Sequence, residues 1–371
     1  MSRLGIALLS VLGFLLILRL SLNNDYFRTK NTDFKIFYAG ARLAGSPQLY
    51  DSRMARQVFY YATGRRPPDW ANHIVFSRMP WVAEALRPLG KLSYATAFWT
   101  WQVVLALAVV AFLAVCPCRH TLGFAGVSLP LINSWAVGQD SALLLVVVAL
   151  ALRCYSTGRH IMSGLLLSLC ACNKPHLFVL LPLLLWSYRL WPLFKGLVFG
   201  CAALTGISFL AAGWNWPVKY SQGILQNPAF NPFKEHMTSL SAVPAGFAPL
   251  ALLTVALVWW GLRQTTRMDQ GMGLVLVGSL LVAPHSYIYD HTLLLIALPP
   301  FLTLGPRLGL LTGLILLPVV YLVFTAMSPP LPAGTPLLLL AWLAVAAWKL
   351  RALRISTEPR VASHEPAMRV L

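Results

Sequence analysis

Charge is scarce in this chain, and acidic charge is scarcer still. Of its 371 residues 11% are charged and 58% are hydrophobic, and only 11 are Asp or Glu against 29 Lys or Arg. Soluble domains carry about 25% charged residues, so a mean hydropathy of +0.68 excludes a water-soluble surface for most of the chain. The net charge of +18 would suggest a nucleic-acid partner in a soluble protein. Here the basic residues lie mostly between apolar runs, so we expect no nucleic acid and contact with membrane lipids instead.

Cysteine patterns with a defined chemistry are also missing. The six cysteines lie within or beside apolar runs, without zinc-finger spacing and without a set in a polar loop. We therefore expect them to serve packing.

Long apolar runs are what the sequence has in abundance. A helix of about 20 apolar residues crosses the hydrocarbon core, and shorter runs are compatible with re-entrant or broken helices. The clear candidates are 4–22, 94–115, 194–213, 245–262, 308–327 and 335–349, and the shorter ones are 120–134, 140–153, 161–173, 176–188, 271–284 and 290–304. The sequence predicts an all-α polytopic membrane protein with roughly ten to twelve transmembrane or re-entrant helices.

These runs divide the chain into four parts. Residues 1–22 are predicted to be an uncleaved first span, and 23–93 an extracytoplasmic loop. A multi-span membrane domain follows over 94–349, and 350–371 is predicted to be a disordered cytoplasmic tail.

Basic residues predict the orientation. One set of short loops and chain ends holds most of them, namely Arg3, Arg119, Arg153, Arg159, Arg189, Lys195, Arg263, Arg267, Arg307, Lys349, Arg351, Arg354, Arg360 and Arg369. The short loops on the opposite side hold only Lys174, Lys219 and Lys234. This asymmetry predicts that both termini are cytoplasmic.

On that map the other polar groups collect on the outer side. They are Asp33, Gln139, Asp140, Asn173, Lys174, His176, Asn227, His285, Asp290 and His291. Ionisable residues near the membrane core are costly and usually serve a site. Their clustering on one side favours an outward-facing site over a channel, which needs polar groups along its full depth.

Most of these residues, and the nearby tyrosines, also have a purely structural explanation. Asp33 either caps the helix predicted after it or acts as a general base above the membrane. Capping of the helix near Ser141 would account for Gln139 and Asp140, and snorkelling to the interface for Lys174. His285 and His291 could be boundary residues with satisfied hydrogen bonds, and Asp290 a brace for either of them. The rings of Tyr38 and Tyr50 would suit an interfacial aromatic belt.

Several weak motifs follow one another in a recognisable order over roughly residues 30–300. They are Asp33-Phe34, Phe37-Tyr38, the turn 45–50, the aromatic and proline stretch 76–80, Pro88-Leu89, 95–99, Gly138-Gln139-Asp140-Ser141, Lys174-Pro175, 284–287 and Asp290-His291. In this order the chain resembles the polyprenyl-phosphate-dependent glycosyltransferases of family 87, membrane enzymes of the GT-C class that include mannosyl- and arabinofuranosyltransferases. It departs from the family in Met79-Pro80, where a double proline is usual, and in Asp140 and Ser141 after the Gly-Gln pair.

The resemblance implies a GT-C fold and a function. A sugar, typically mannose or a pentose, would pass from a polyprenyl phosphate to an extracytoplasmic glycolipid or glycan, at the outer face of a bacterial cytoplasmic membrane. Asp33 would be the general base of an inverting transfer. Four residues would contact the donor phosphate: Lys174, His285, His291 and Arg42. Five would contact substrate: Tyr38, Tyr50, Gln139, Asp140 and Asp290. No cofactor is expected, because the donor has no nucleotide diphosphate and no Asp-x-Asp pair is present to hold a metal.

Two other functions are compatible with a membrane protein of this kind. A transporter or flippase of a lipid-linked glycan would need polar residues at the bilayer midplane, which looks apolar here. A non-catalytic scaffold of the cell envelope would tolerate the loss of Asp33.

Overall fold

The computed structural model describes residues 15, 19, 32–64, 75–116, 120–225, 237–243, 246–326 and 333–357. Within these ranges the chain is all-helical, as the apolar runs predict. The α-helices are α1 (Phe34–Arg42), α2 (Ser52–Thr63), α3 (Pro80–Gly90), α4 (Tyr94–Val115), α5 (His120–Ala125), α6 (Leu129–Val137), α7 (Ser141–Ser156), α8 (His160–Asn173), α9 (Leu181–Ser187), α10 (Trp191–Ala212), α11 (Trp216–Leu225), α12 (Phe247–Leu262), α13 (Met268–Val282), α14 (Leu294–Ala297), α15 (Pro306–Leu316), α16 (Pro318–Ala326) and α17 (Gly334–Thr357). Four 3-10 turns lie between them, at Pro175–Leu177, Leu240–Ala242, Ile288–Leu293 and Pro299–Phe301.

Three helices of the described chain are long and apolar enough to cross a membrane: α4, α10 and α17. Several predicted spans are instead broken. The run 308–327 divides into α15 and α16 at Pro318, because proline cannot donate the backbone hydrogen bond that would continue the helix. Residues 290–304 likewise form short turns around Pro299 and Pro300.

Two of the long helices expose apolar faces. On α4, Trp99 and Val103 are 49% and 57% exposed, and on α10 Phe199 and Leu210 are 70% and 91% exposed. Large side chains in such numbers on a helix surface suit contact with lipid, which solvates them as well as a protein core does. These faces fit a membrane protein.

Helices α8 and α10 approach each other unusually closely. A Cβ on Gly164 would collide with the carbonyl oxygen of Leu193, and one on Gly196 with that of Ile161. One turn later, a Cβ on Gly200 would collide with the side chain of Ser168. Small residues four apart let two helix backbones touch, which is the usual packing device inside membranes.

Helix α1 is buried against its neighbours on nearly all sides. Phe34 is fully buried between the rings of Tyr94, Phe98 and Trp101 of α4. On the other side, Gly90 of α3 meets the backbone of Ala41, where any side chain would clash. The start of α1 is therefore fixed at the end of the bundle where α4 begins.

The bundle has two ends of different character. We call the end with the turns 138–140, 174–180 and 283–287 the polar end, and the end with the turns 157–159, 188–190 and 263–267 the basic end.

The last helix runs further than its apolar run predicts. It continues from the predicted end at Lys349 to Thr357. The predicted first span, apart from residues 15 and 19, and residues 358–371 of the predicted tail lie outside the described residues.

Candidate functional site

The carboxylate of Asp33 stands at the polar end, directly before α1. Its side chain makes no capping hydrogen bond to the helix, so the capping interpretation is wrong. Its Oδ2 instead accepts a hydrogen bond of 2.7 Å from Nε2 of Gln139, which is distant in sequence. Asp33 is partly exposed, whereas Gln139 is buried. The carboxylate is thus held by a buried amide, while the residue itself stays partly exposed.

The turn after α6 brings Gln139 to this position. Gly138 adopts a left-handed conformation (φ 76°), and the N–H groups of Gly138 and Gln139 bond back to the carbonyls of Trp135 and Ser134. This is the Schellman arrangement that ends helices at glycine. Trp101 donates a 2.8 Å hydrogen bond to the carbonyl of Gly138. A Cβ on Gly138 would also press on Phe34. Glycine therefore suits this position for two reasons, its left-handed conformation and its close contact with Phe34.

Asp140, the next residue, is fully involved in polar contacts with three side chains. Its two carboxylate oxygens accept from Nε and Nη2 of Arg78 at 3.2 and 3.3 Å. Asn173 donates a further hydrogen bond of 2.8 Å. Asp140 makes no side-chain bond to the N-terminus of α7, so the capping expectation is wrong for this residue as well.

Lys174 is only 2% exposed and lies at the centre of a group of connected polar side chains, which we call the cluster: Asp33, Arg78, Gln139, Asp140, Asn173, Lys174 and Asp290. Its Nζ is 3.1 Å from Asp140 and 2.8 Å from Asp290, and it also reaches Oε1 of Gln139 at 3.4 Å. The snorkelling interpretation is therefore wrong. Because Lys174 precedes Pro175, it is driven out of the helical conformation, and α8 ends where the ammonium can turn inward.

Asp290 forms an ion pair with this lysine. Its Oδ1 contacts Lys174, and its Oδ2 accepts the backbone N–H of Tyr287 at 3.1 Å. The predicted brace between Asp290 and His291 is not formed, because Nδ1 of His291 contacts Tyr321 and its Nε2 has no hydrogen-bond partner among the described residues. The brace between Asp290 and His285 stays a prediction.

His291 points away from the cluster although it is adjacent to Asp290. The 3-10 turn at Ile288–Leu293 has three residues per turn, so consecutive side chains point about 120° apart. His291 is 1% exposed, and its Nδ1 lies 3.0 Å from the hydroxyl of Tyr321. The structure therefore does not bring it to the other predicted donor-phosphate residues.

His285 lies at the rim of the cluster, half-buried in the turn after α13. Its ring is 5.9 Å from that of His176 and 4.8 Å from that of Tyr287. Burial lowers the pKa of His285 to about 4, against a smaller opposite effect of Asp290. The imidazole is thus neutral at pH 7 and offers an N–H rather than a cation.

Three other predicted site residues lie elsewhere. Arg42 comes nine residues after Asp33, which on a helix is about 13 Å along the axis and on the opposite side, and its guanidinium donates to the carbonyl of Gly90. The Tyr38 hydroxyl donates to the carbonyl of Leu92, and that of Tyr50 to the carbonyl of Arg78. Both tyrosines are buried packing residues and form no interfacial belt.

Comparison with known proteins shows the family to which the chain belongs. The family model for glycosyltransferase family 87 matches residues 80–284, which is more than half of the chain. The chain belongs to glycosyltransferase family 87. Comparison with curated proteins and with solved structures gave no match.

The match covers only part of the cluster of this family 87 protein. Gln139, Asp140 and Lys174 lie within the matched residues, whereas Asp33 and Asp290 lie outside them. The position of Asp33 in the cluster therefore depends on the structure and not on the family match.

Sequence reasoning missed Arg78, the second buried cation of the site. It lies inside the aromatic and proline stretch 76–80 but is only one of eleven Lys and Arg residues in 23–93. The one available signal was its place within this motif, between Phe76 and Pro80. Ser141, which contacts Lys174 at 3.1 Å, was likewise recognised only as a departure from the family.

The cluster has an uneven charge balance. Arg78 and Lys174 are each ion-paired with Asp140, and Lys174 also with Asp290. Among the described residues, Asp33 is the one carboxylate of the cluster that makes no ion pair. Within the same ranges, no three His, Cys, Asp or Glu side chains are grouped to hold a metal ion.

Proposed function

We propose that this protein transfers a sugar, mannose or a pentose, from a polyprenyl phosphate to an extracytoplasmic glycolipid or glycan, with inversion and with Asp33 as the general base. Membership of glycosyltransferase family 87 establishes a membrane glycosyltransferase. The donor, the acceptor, the stereochemistry and the role of Asp33 are the proposal.

The observation that carries it is the state of Asp33. A general base needs a carboxylate that substrate can reach and that is held in one orientation. Asp33 is partly exposed, makes no ion pair among the described residues and accepts a 2.7 Å hydrogen bond from buried Gln139. Asp140 and Asp290 are both buried and paired with cations, so they suit this role less well.

In the proposed reaction, an acceptor hydroxyl attacks the anomeric carbon from the side opposite to the phosphate. Its proton passes to the Asp33 carboxylate as the new C–O bond forms. The bond between the anomeric carbon and the phosphate oxygen breaks, and polyprenyl phosphate leaves with one more negative charge. Inversion follows because the attack and the departure take place on opposite faces.

The developing charge on the phosphate needs donors nearby. We infer that Lys174 supplies electrostatic stabilisation from beneath the site, and that neutral His285 donates an N–H at the rim. We assign no phosphate contact to His291 or Arg42, because His291 contacts Tyr321 and Arg42 donates to the carbonyl of Gly90. Gln139 orients Asp33, and Asp140 and Asp290 hold Lys174.

We infer that the polar end faces outward and the basic end faces the cytoplasm of a bacterium. Arg153, Arg189, Arg263 and Arg351 are all exposed at the basic end. Cytoplasmic loops carry an excess of such residues, and anionic headgroups attract them. In this orientation both chain termini are cytoplasmic.

The test is a transfer assay on the purified protein in lipid, with a panel of radiolabelled polyprenyl-phosphate sugars and an envelope-lipid extract. We expect label to pass to acceptor from one donor class, and Asp33→Asn to lower the rate about a thousandfold, since only the proton acceptor is lost. Asp51→Asn is the matched control, because Asp51 caps α2 and asparagine caps equally well.

The outcomes separate the parts of the proposal. Normal turnover in Asp33→Asn would exclude Asp33 as the base. Transfer from nucleotide sugars alone would exclude the polyprenyl donor. If the folded protein transfers from no donor, the flippase and scaffold hypotheses become the better ones.

A further inference from the structure

Arg78 makes the most extensive side-chain contacts at the edge of the cluster. Its guanidinium binds both carboxylate oxygens of Asp140, and its Nη1 also reaches the carbonyl and the hydroxyl of Ser77. The side chain is 9% exposed. A two-point contact of this kind fixes direction as well as distance.

The same guanidinium also contacts the helix that carries Asp33. Its central carbon lies 5.7 Å from the ring centroid of Phe37 in α1. Phe37 follows Asp33 by four residues, and side chains four apart lie on the same face of a helix. Arg78 therefore touches the face of α1 from which Asp33 projects.

The backbone of Arg78 is held independently. The Tyr50 hydroxyl donates a buried 3.0 Å hydrogen bond to its carbonyl. Arg78 is thus anchored at both its backbone and its guanidinium.

We propose that Arg78 is a positioning residue for sugar transfer. It holds Asp33 and Gln139 in the relative positions that their hydrogen bond requires. It acts on Asp33 through Phe37 and α1, and on Gln139 through Asp140 in the same turn. This inference rests on the proposed function. Arg78 is not a catalytic residue, because none of its contacts is to Asp33 or Gln139 themselves.

Lysine is a poor replacement at such a site. Its ammonium is a compact point charge, whereas the planar guanidinium of arginine binds both oxygens of a carboxylate and stacks on an aromatic ring. Arg78→Lys therefore keeps the charge next to Asp140 but loses the directional contact. This difference separates positioning from simple charge balance.

The experiment compares Arg78→Lys and Arg78→Met with a control in the transfer assay. Misplacement of a reacting group by about 1 Å can cost about a hundredfold in rate. We expect kcat to fall by about a hundredfold in Arg78→Met and about tenfold in Arg78→Lys, with KM for the donor changed less than about threefold. The control is Arg87→Lys, since Arg87 is exposed and bonds Ala44 and Glu84 outside the cluster.

A second measurement does not depend on activity. Hydrogen–deuterium exchange in the turn 138–140 and in α1 reports the placement directly. We expect exchange in both segments to rise at least about threefold in Arg78→Lys and to stay unchanged in Arg87→Lys.

A double-mutant cycle tests the route through Asp140. If Arg78 acts through this residue, Arg78→Met should cost less than about threefold in an Asp140→Asn background, because interacting residues are not additive. An equal cost in both backgrounds would overturn that route.

The possible failures can be told apart. Wild-type kcat and exchange in Arg78→Lys, with an active wild-type protein, would overturn the inference alone. An inactive wild type would overturn the proposed function, while unchanged exchange in Arg78→Lys would still overturn the positioning. If Arg78→Met does not fold, Arg78→Lys decides the question by the same two measurements.

Discussion

The two ends of the helical bundle use the same basic residue types in opposite ways. At the basic end Arg153, Arg189 and Arg263 are exposed, where water and headgroups can solvate them. At the polar end Arg78 and Lys174 are 8% and 2% exposed and meet carboxylates from other parts of the chain. Burial and pairing, rather than charge itself, distinguish the polar end from the basic end.

The acidic residues explain this difference. Asp33, Asp140 and Asp290 all lie at the polar end but come from different parts of the chain: Asp33 precedes α1, Asp140 precedes α7, and Asp290 lies in the 3-10 turn Ile288–Leu293. The ion pair at the basic end, between Arg267 and Asp269, joins near neighbours and stays exposed. Among the ion pairs of the described residues, those at the polar end join residues distant in sequence, so their formation depends on the tertiary fold.

The largest effect in this comparison should come from Lys174→Met. Removing one partner of a buried ion pair costs about 3–5 kcal/mol, because the other charge stays buried without compensation. In this variant the carboxylates of Asp140 and Asp290 would both lose their ion pair with the Lys174 ammonium. We expect the free energy of unfolding in detergent or lipid to fall by about that amount.

A second substitution sharpens this prediction. Lys174→Met combined with Asp290→Asn removes the uncompensated charge and should recover part of the lost stability. A stability of Lys174→Met within about 1 kcal/mol of wild type would contradict a buried, paired lysine.

An effect of intermediate size should come from His285 on acidification. Burial lowers its folded-state pKa to about 4, whereas an unfolded histidine titrates near 6.5. Between these values the unfolded state binds the extra proton, so stability falls as pH falls from 6.5 to 4, by up to about 1.4 kcal/mol per pH unit.

His285→Gln tests this sign. The variant keeps a polar side chain without a titrating group, and its unfolding midpoint should fall less steeply over this pH range. Identical pH profiles for variant and wild type would show that His285 titrates normally in the folded protein.

The smallest effect should come from Arg267→Ala at the basic end. Exposed ion pairs contribute about 0.2–1 kcal/mol, and the side chain of Arg267 is 62% exposed. We expect a change in unfolding free energy below about 1 kcal/mol, measured beside Lys174→Met. A loss as large as that of Lys174→Met would remove the distinction between the two ends.

The sequence predicted the gathering at the polar end, but not its pairings. The apolar runs and the scarcity of acids were enough to group Asp33, Gln139, Lys174 and Asp290 at one end. The partners could not be predicted, since Gln139 and Asp33 are joined only because Gly138 lets α6 end against Phe34. For the same reason capping was assigned to Asp140, whose carboxylate in fact binds Arg78.

Composition and the order of apolar and basic residues are enough to predict that the chain is a helical membrane protein with an asymmetric distribution of charge. Which ionisable groups share one environment depends on the tertiary structure. Arg78 lies in the cluster although the sequence did not predict it, and His291 lies outside it although the sequence placed it there. The reason is that the direction of a side chain depends on where helices end and turns begin. An ion pair between distant residues forms only where packing brings both charges out of water together, and this is what happens at the polar end.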